Sequence, residues 1–589
     1  MRKFYFLFLM LSLVFSCKDE SFVETGNENL NPQSNYNFGS TTQKDFQGVI
    51  LDTNGTPIYG ATVQIGTTSV ATNYKGFFIL KNASVQENFA HIKVTKAGFI
   101  NASRVLVPSN GMNRVNIMMI PEKLTSTVSS GATSTVSLAD GTKVKFDGSF
   151  KDANGNAYSG SVSVSLYHLA PSNTYLNELM PGSFLATSSN GSARIMETFG
   201  MLYVQLTGSA GQNLQIATGH TAEITMPIDA SQSSTSPSTI PLWSYNENTG
   251  MWNEEGSVTK VGNTYVGTVS HFSWWNCDIQ LPQATLKVTV KNNTGQPLAN
   301  AKVTLKRNSQ TYEVAGITDN NGVVTGIIPA GESLVLKVYD NCNSIVYTST
   351  VTPVTAGNLY VLPDIVVTPS GTNYIIQGNL KTCTNADVTD GFVTLKVVNG
   401  TYFQYVSVPV SSTGMFSANI YSCNSGQQFV LEAFDTANMR STGEINVTPT
   451  AATTNLGNIT VCTGISEFIM YKFDNQSSKN LLPPIGAEYS SSTNAMVVTC
   501  YPPNSALGGF QMIVPNISGV GTYNTFNYLD VIGSGSSPNG IPSSGSTLTL
   551  QISNFGAIGQ YIDFTINGTY TNSTGNHTLS VTGHVIRDN

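Results

Sequence analysis

The sequence predicts an all-β chain of several sandwich modules in series, and three observations predict it. Charged residues are only 11% of 589 positions while Gly counts 53, and Thr, Ser, Val and Asn are dense, a composition that favours strands and tight turns. Apolar residues show no sustained helical spacing. A turn-then-strand unit recurs along the chain. At this length about four or five domains are expected, each able to bury a core of its own. The net charge of −7 comes without any basic stripe, which argues against nucleic acid as a partner.

At the N-terminus, Arg2-Lys3 precede an apolar stretch from Phe4 to Phe15, and Ser16 then precedes Cys17. The stretch is shorter than the roughly 20 residues a membrane-spanning helix needs, so a secretory signal fits better. Leu13-Val14-Phe15-Ser16-Cys17 resembles the lipobox of bacterial lipoproteins. That resemblance implies a signal peptide over 1–16 and Cys17 as the lipidated first residue of the mature chain; cleavage by an ordinary signal peptidase is the alternative. Lys18-Asp19-Glu20 resembles the lysine-plus-acids export signal that sends lipoproteins to the surface in one phylum of Gram-negative bacteria. It implies an outer-membrane location with surface exposure. Solvated charges opening a tether are the other reading, which leaves open whether the chain faces periplasm or exterior. Residues 17–44 are rich in Asn, Ser, Thr, Gly and Glu and are expected to form a flexible tether.

The repeat begins at Asp52-Thr53-Asn54-Gly55-Thr56-Pro57-Ile58-Tyr59-Gly60-Ala61 and returns at Asn293-Thr294-Gly295-Gln296-Pro297-Leu298-Ala299-Asn300-Ala301. In both, apolar residues stand eight and ten places after the turn Gly, at Val63 and Ile65 and at Val303 and Leu305, so strand alternation buries the same positions. A degenerate copy carries Asn385 in place of the Gly and keeps Val393 and Leu395 in register; Asn tolerates a left-handed turn. Asp152-Ala153-Asn154-Gly155 begins a related hairpin that is out of register by one. The opening at 52–61, the middle Ala71-Thr72 to Gly76-Phe77-Phe78-Ile79-Leu80 and the end Lys96-Ala97-Gly98-Phe99 resemble the carboxypeptidase regulatory-like, transthyretin-like domain over residues 45–121. Residues 282–368 resemble it more loosely and 369–463 in outline. The family implies an accessory Ig-like sandwich of about seven strands without a catalytic centre. The fold class expected is therefore all-β, serial Ig-like/transthyretin-like β-sandwich modules in an elongated multidomain chain.

Residues 122–281 read as a β-rich extracellular module, ending in His271-Phe272-Ser273-Trp274-Trp275-Asn276-Cys277-Asp278, which resembles a module of cartilage intermediate layer proteins and bacterial surface proteins. Residues 464–589 read as a C-terminal β-rich domain whose alternating segments Tyr561 to Gly568 and His577 to Arg587 suggest a hairpin.

Candidate sites are few. His220-Thr221-Ala222-Glu223 has the spacing of a metallocarboxypeptidase zinc element, but on a strand from Ala217 to Pro227 residues three apart face opposite sides. No nucleophile elbow, H-E-x-x-H or phosphate loop is present. No metal, no cofactor and no enzymatic activity are expected. The Asp-Asn-Gly turns are explained by turn chemistry better than by calcium. Trp243, Trp252, Trp274 and Trp275 are candidate ligand-binding aromatics if exposed, and hairpin or core residues if not. Cys277, Cys342, Cys383, Cys423, Cys462 and Cys500 are candidate disulfide cysteines in an exported chain, with fifteen pairings open. The function expected is a non-catalytic cell-surface lipoprotein acting as adhesin or envelope scaffold, attached to the membrane by lipid and meeting a protein or glycan partner. A carbohydrate-binding accessory lipoprotein for polysaccharide capture is the alternative.

Overall fold

The structure, a computed structural model, describes residues 34–588 apart from 311, 400–401, 425–426, 439, 465–466, 475, 477–478, 482–484, 501–508 and 533. The leader, Cys17 and Lys18-Asp19-Glu20 lie outside the described residues. The chain is all-β, with sandwich modules in series and, among the described residues, one four-residue α-helix at Leu176–Leu179. No helix among them is long and apolar enough to cross a membrane.

The first sandwich has seven strands, Thr41–Asp52, Thr62–Ile65, Thr68–Ala71, Phe77–Gln86, Ala90–Thr95, Ala102–Leu106 and Met112–Met119. Counted within the module, one sheet has the order 4-1-7 and the other 3-2-5-6, and strand 1 pairs antiparallel with strand 4 and parallel with strand 7. The middle sandwich repeats this arrangement. Its first strand, Trp274–Asn292, pairs antiparallel with Val323–Pro329 and parallel with Leu359–Val361 and Ile365–Val367, while Lys302–Arg307 lies between Val314–Ile317 and Leu334–Tyr339. So does the third, where Thr372–Thr382 lies between Met415–Ser422 and Thr453–Val461. The copy that resembles the family only in outline thus has the same topology as the clearest one.

The shared turn explains the shared topology. Asp52 Oδ1 accepts from the backbone N–H of Asn54 and of Thr56, each at 2.8 Å, and Asn292 Oδ1 accepts likewise from Thr294 and Gln296. Gly55 and Gly295 occupy the left-handed region at φ 75 and 79, and Asn385 takes it at φ 65. Thr72 and Thr318 then make the same bridge, donating to the carbonyl of Ile58 or Leu298 and accepting from the N–H of Ala61 or Ala301. The Asp152 hairpin uses the same aspartate device.

Two expectations are corrected. Residues 34–44 are not free tether: Tyr36 is buried, Tyr36, Phe38 and Phe89 pack edge to face, and the first strand begins at Thr41. Two aromatics in a polar segment supply the apolar area that average composition hides. Nor does the chain pause between 281 and 282. Trp274–Asn292 is one strand of 19 residues, paired with Ala193–Gly208 through its first half and with Val323–Pro329 through its second. Strands from Ser126 to Val269 close with it into a barrel-like network. In the C-terminal unit, Tyr561–Asn572 and Gly575–Ile586 form the expected hairpin.

Candidate functional site

The four tryptophans are core residues, which corrects their reading as a ligand-binding face. All are buried, Trp275 in one apolar cluster of the 122–281 unit and Trp243, Trp252 and Trp274 in a second. Three indole N–H groups donate to backbone carbonyls, Trp243 to Asp278 at 3.1 Å, Trp252 to Ser183 at 2.9 Å and Trp275 to His271 at 3.0 Å. Buried indoles offer no plane to a sugar ring.

His220 stands in a turn before the strand Ala222–Pro227, rather than within a strand from Ala217, and its Nδ1 lies 2.6 Å from Asp147 Oδ2. Among the described residues no group of three or more His, Cys, Asp or Glu could hold a metal ion. The turn carboxylates are committed to backbone N–H groups, as at Asp52 and Asp319.

Four of the six cysteines are joined. Cys342 is bonded to Cys423 and ties the middle sandwich to the third; Cys383 is bonded to Cys462 and ties the ends of the third together. Cys277 is a buried thiol whose alternation on its strand places it in the apolar barrel core, and burial pushes it well above the usual range. Cys500 is buried in the C-terminal core.

What the residues do build is a set of junctions centred on the first sandwich, which touches all four other units. Toward the 122–281 unit, Ser103 Oγ lies 2.6 Å from the Tyr245 hydroxyl, and His91 Nε2 lies 3.4 Å from the same oxygen. Burial lowers His91 to about 4. Toward the middle sandwich, Asp319 Oδ2 accepts from Ser109 Oγ at 2.7 Å and from the Gly111 N–H at 3.0 Å. Toward the C-terminal unit, Tyr59 packs on Phe468 and His584, and Lys472 donates to the Asn54 carbonyl.

The junction with the third sandwich is the most charged. Lys75, in the turn after the Thr72 bridge, pairs with Glu432 and lies 3.3 Å from Glu444. Lys75 and Glu432 are both buried beside the aromatic cluster of Tyr74, Phe77, Phe392, Phe434 and Phe468. Burial lowers Lys75 to about 8 and raises Glu432 to about 8, the latter opposed by the Ser441 hydroxyl. Arg307 makes a similar bond between the middle sandwich and the barrel, pairing with Glu197 and, at 2.5 Å, with Glu332. Sequence reasoning missed these pairs because their members are far apart in the chain. The one available signal was a lysine inside the apolar run Tyr74-Lys75-Gly76-Phe77-Phe78.

A further feature is exposed. The strand Leu359–Val361 of the middle sandwich leaves its residues at 59%, 42% and 56% exposure, with Val366 of the following strand at 59%. Among the described residues Leu359–Val361 pairs only with Trp274–Asn292, so its other side is a sheet edge.

No protein family matches the chain, and no curated protein does. Among solved structures it is similar to a Streptococcal ancillary pilin, at 12% identity over 40% of this chain and 97% of that one, with a TM-score of 0.14. It is also similar to the shaft pilin SpaA of Lactobacillus rhamnosus GG, at 13% identity over 31% of this chain and 97% of that one, TM-score 0.18. A DUF3823 family protein from Parabacteroides merdae aligns at 12% identity over 28% and 96% of the two chains, TM-score 0.14. These scores are too low to indicate a shared overall arrangement.

Proposed function

We propose that this chain is a non-catalytic lipoprotein, anchored in the outer membrane through Cys17 and facing the cell exterior, that acts as an adhesin or envelope scaffold. The observation that carries the reading is the apolar sheet edge Leu359-Tyr360-Val361. Edge strands are normally shortened, charged or covered because they pair with other chains, and a row of exposed apolar residues on one is suited to adding a partner's strand. The junctions around the first sandwich hold that edge in a fixed place relative to the anchor-proximal module. Burial of all four tryptophans removes the feature that favoured polysaccharide capture.

Val361→Lys with Tyr360→Lys is expected to weaken capture of envelope or matrix proteins at least tenfold in a pull-down while circular dichroism is unchanged; undiminished capture sinks the adhesive edge. Cys17→Ala is expected to move the chain from the membrane to the soluble fraction without unfolding it. Retention on membranes after a salt wash would show that lipid at Cys17 is not the anchor. Replacing Lys18, Asp19 and Glu20 by Ala is expected to protect the chain from protease added to intact cells.

A further inference from the structure

The three sandwiches differ at two matched interior positions. In the first, Val70 pairs across from Val63 and Leu80 from Phe46; in the third, Val408 pairs across from Val393 and Ala418 from Ile376. In the middle copy the same places are Gly316, opposite Val303, and Gly326, opposite Leu286. Residues directly opposite on antiparallel strands share a face. Val303 and Leu286 are buried core, so both glycines face inward. Gly326 also lies between Val324 and Ile328, two residues away on either side, which pack into the same core. A Cβ built on Gly326 would meet nothing within 4 Å, while one on Gly316 would come within 2.7 Å of a Val324 methyl, so the open space lies at Gly326. Neither glycine has a positive φ that would demand it.

The space left is a cavity of about 290 Å³ running from the open side of the middle sandwich to the first sandwich and the short helix Leu176–Leu179. Its inner wall is apolar, with Leu286, Leu305, Val314 and Ile327. Its outer wall carries Arg104 and Arg114 from the first sandwich. Among the described residues the half-buried Arg104 makes no ion pair or hydrogen bond, and Glu178 is the carboxylate that acts on it most. Arg114 donates to Asn320 Oδ1 at 3.2 Å, but its Nε is buried without an acceptor. Burial lowers both guanidinium groups, Arg114 to about 10. A buried guanidinium N–H without an acceptor is costly, and an anionic ligand oxygen at Arg114 would offset that cost. Arg307, which lines the cavity from the middle sandwich, is already taken by Glu197 and Glu332.

We propose that this cavity binds an amphipathic carboxylate, its apolar chain lying between the sheets at Gly326 and its acid group accepting from Arg104 and Arg114. The volume exceeds the roughly 150 Å³ at which an apolar cavity already takes up benzene, and it approaches the lower end of ligand pockets. Glu178 and Asp319 also line the cavity near the arginines, Asp319 being taken up by Ser109 and Gly111; the acid head is placed at the arginines because Arg114 Nε lacks an acceptor, and the uncharged body along the apolar stretch of Leu286, Leu305, Val314 and Ile327.

The test is calorimetry on the mature chain with decanoate, and with decanol and decylammonium as controls. Decanoate is expected to bind, decanol at least tenfold more weakly, and decylammonium not measurably. Arg104→Met with Arg114→Met is expected to bring decanoate down to the level of decanol, and Gly326→Leu to abolish binding by filling the space. Equal binding of all three probes, or decanoate binding unchanged in Gly326→Leu, overturns the proposal. So does no decanoate binding at all together with a higher melting temperature in Gly326→Leu, which would mark the cavity as a packing defect. Should Gly326→Leu fail to fold, the arginine pair still decides the matter.

Discussion

The first and middle sandwiches have the same strand order, the same Asx turn and the same Thr bridge, and they put that frame to different uses. The first has a filled core and carries its distinctive residues outward, Lys75, Tyr59, Tyr74 and His91 each set against another unit. The middle copy is hollow at its open side and presents an apolar edge. Turn chemistry therefore fixes topology, while side chains that the topology does not require decide what each copy does. The first spends its distinctive side chains on contacts, and the middle copy keeps a cavity open.

The sharpest way to break this contrast is to attack the joint. Lys75→Ala should remove the cation paired with Glu432 beside Phe434, at a cost of about 3–5 kcal/mol in denaturant unfolding above pH 8, where Glu432 carries its charge. Lys75→Met with Glu432→Leu should recover most of that loss. If Lys75→Ala is silent, the first sandwich is not held to the third in this way. Exchanging the core residues comes next. Leu80→Ala should cost about 2–5 kcal/mol because it opens a hole in a filled core, whereas Gly326→Ala should change stability by less than about 1 kcal/mol, since its side chain enters open space. Similar losses at both positions would mean that the middle core is packed after all.

The last expected effect is of pH on the joint with the barrel. Burial holds His91 at about 4, below the ordinary 6.5, so the unfolded chain takes up a proton more readily than the folded one. The stabilisation is present above pH 6.5 and is lost as pH falls toward 4, by on the order of 2 kcal/mol. His91→Gln should flatten that part of the stability profile. An unchanged slope would show that His91 is solvated in the folded chain.

Turn residues were readable because their conformational preferences act locally. Asn385 could be matched to Gly55 from sequence because left-handed backbone admits few residue types. The hairpin at 561–586 was readable from its alternation. The cavity was not, since a glycine in a strand looks alike whether it faces solvent, a neighbouring backbone or an empty space, and only pairing with Leu286 and Val303 orients Gly326 and Gly316. The tryptophans were ambiguous for a related reason: a barrel and an exposed sheet present the same alternation. The tether was misjudged where Tyr36 and Phe38 reach Phe89, more than fifty residues away in sequence but adjacent in space.

The strand Trp274–Asn292 has one more consequence. Because it is the first strand of the middle sandwich and a structural strand of the barrel, neither unit can melt while the other keeps its full sheet. A calorimeter should count fewer cooperative transitions than the sequence has modules, and under a pulling force these two should give way as one block.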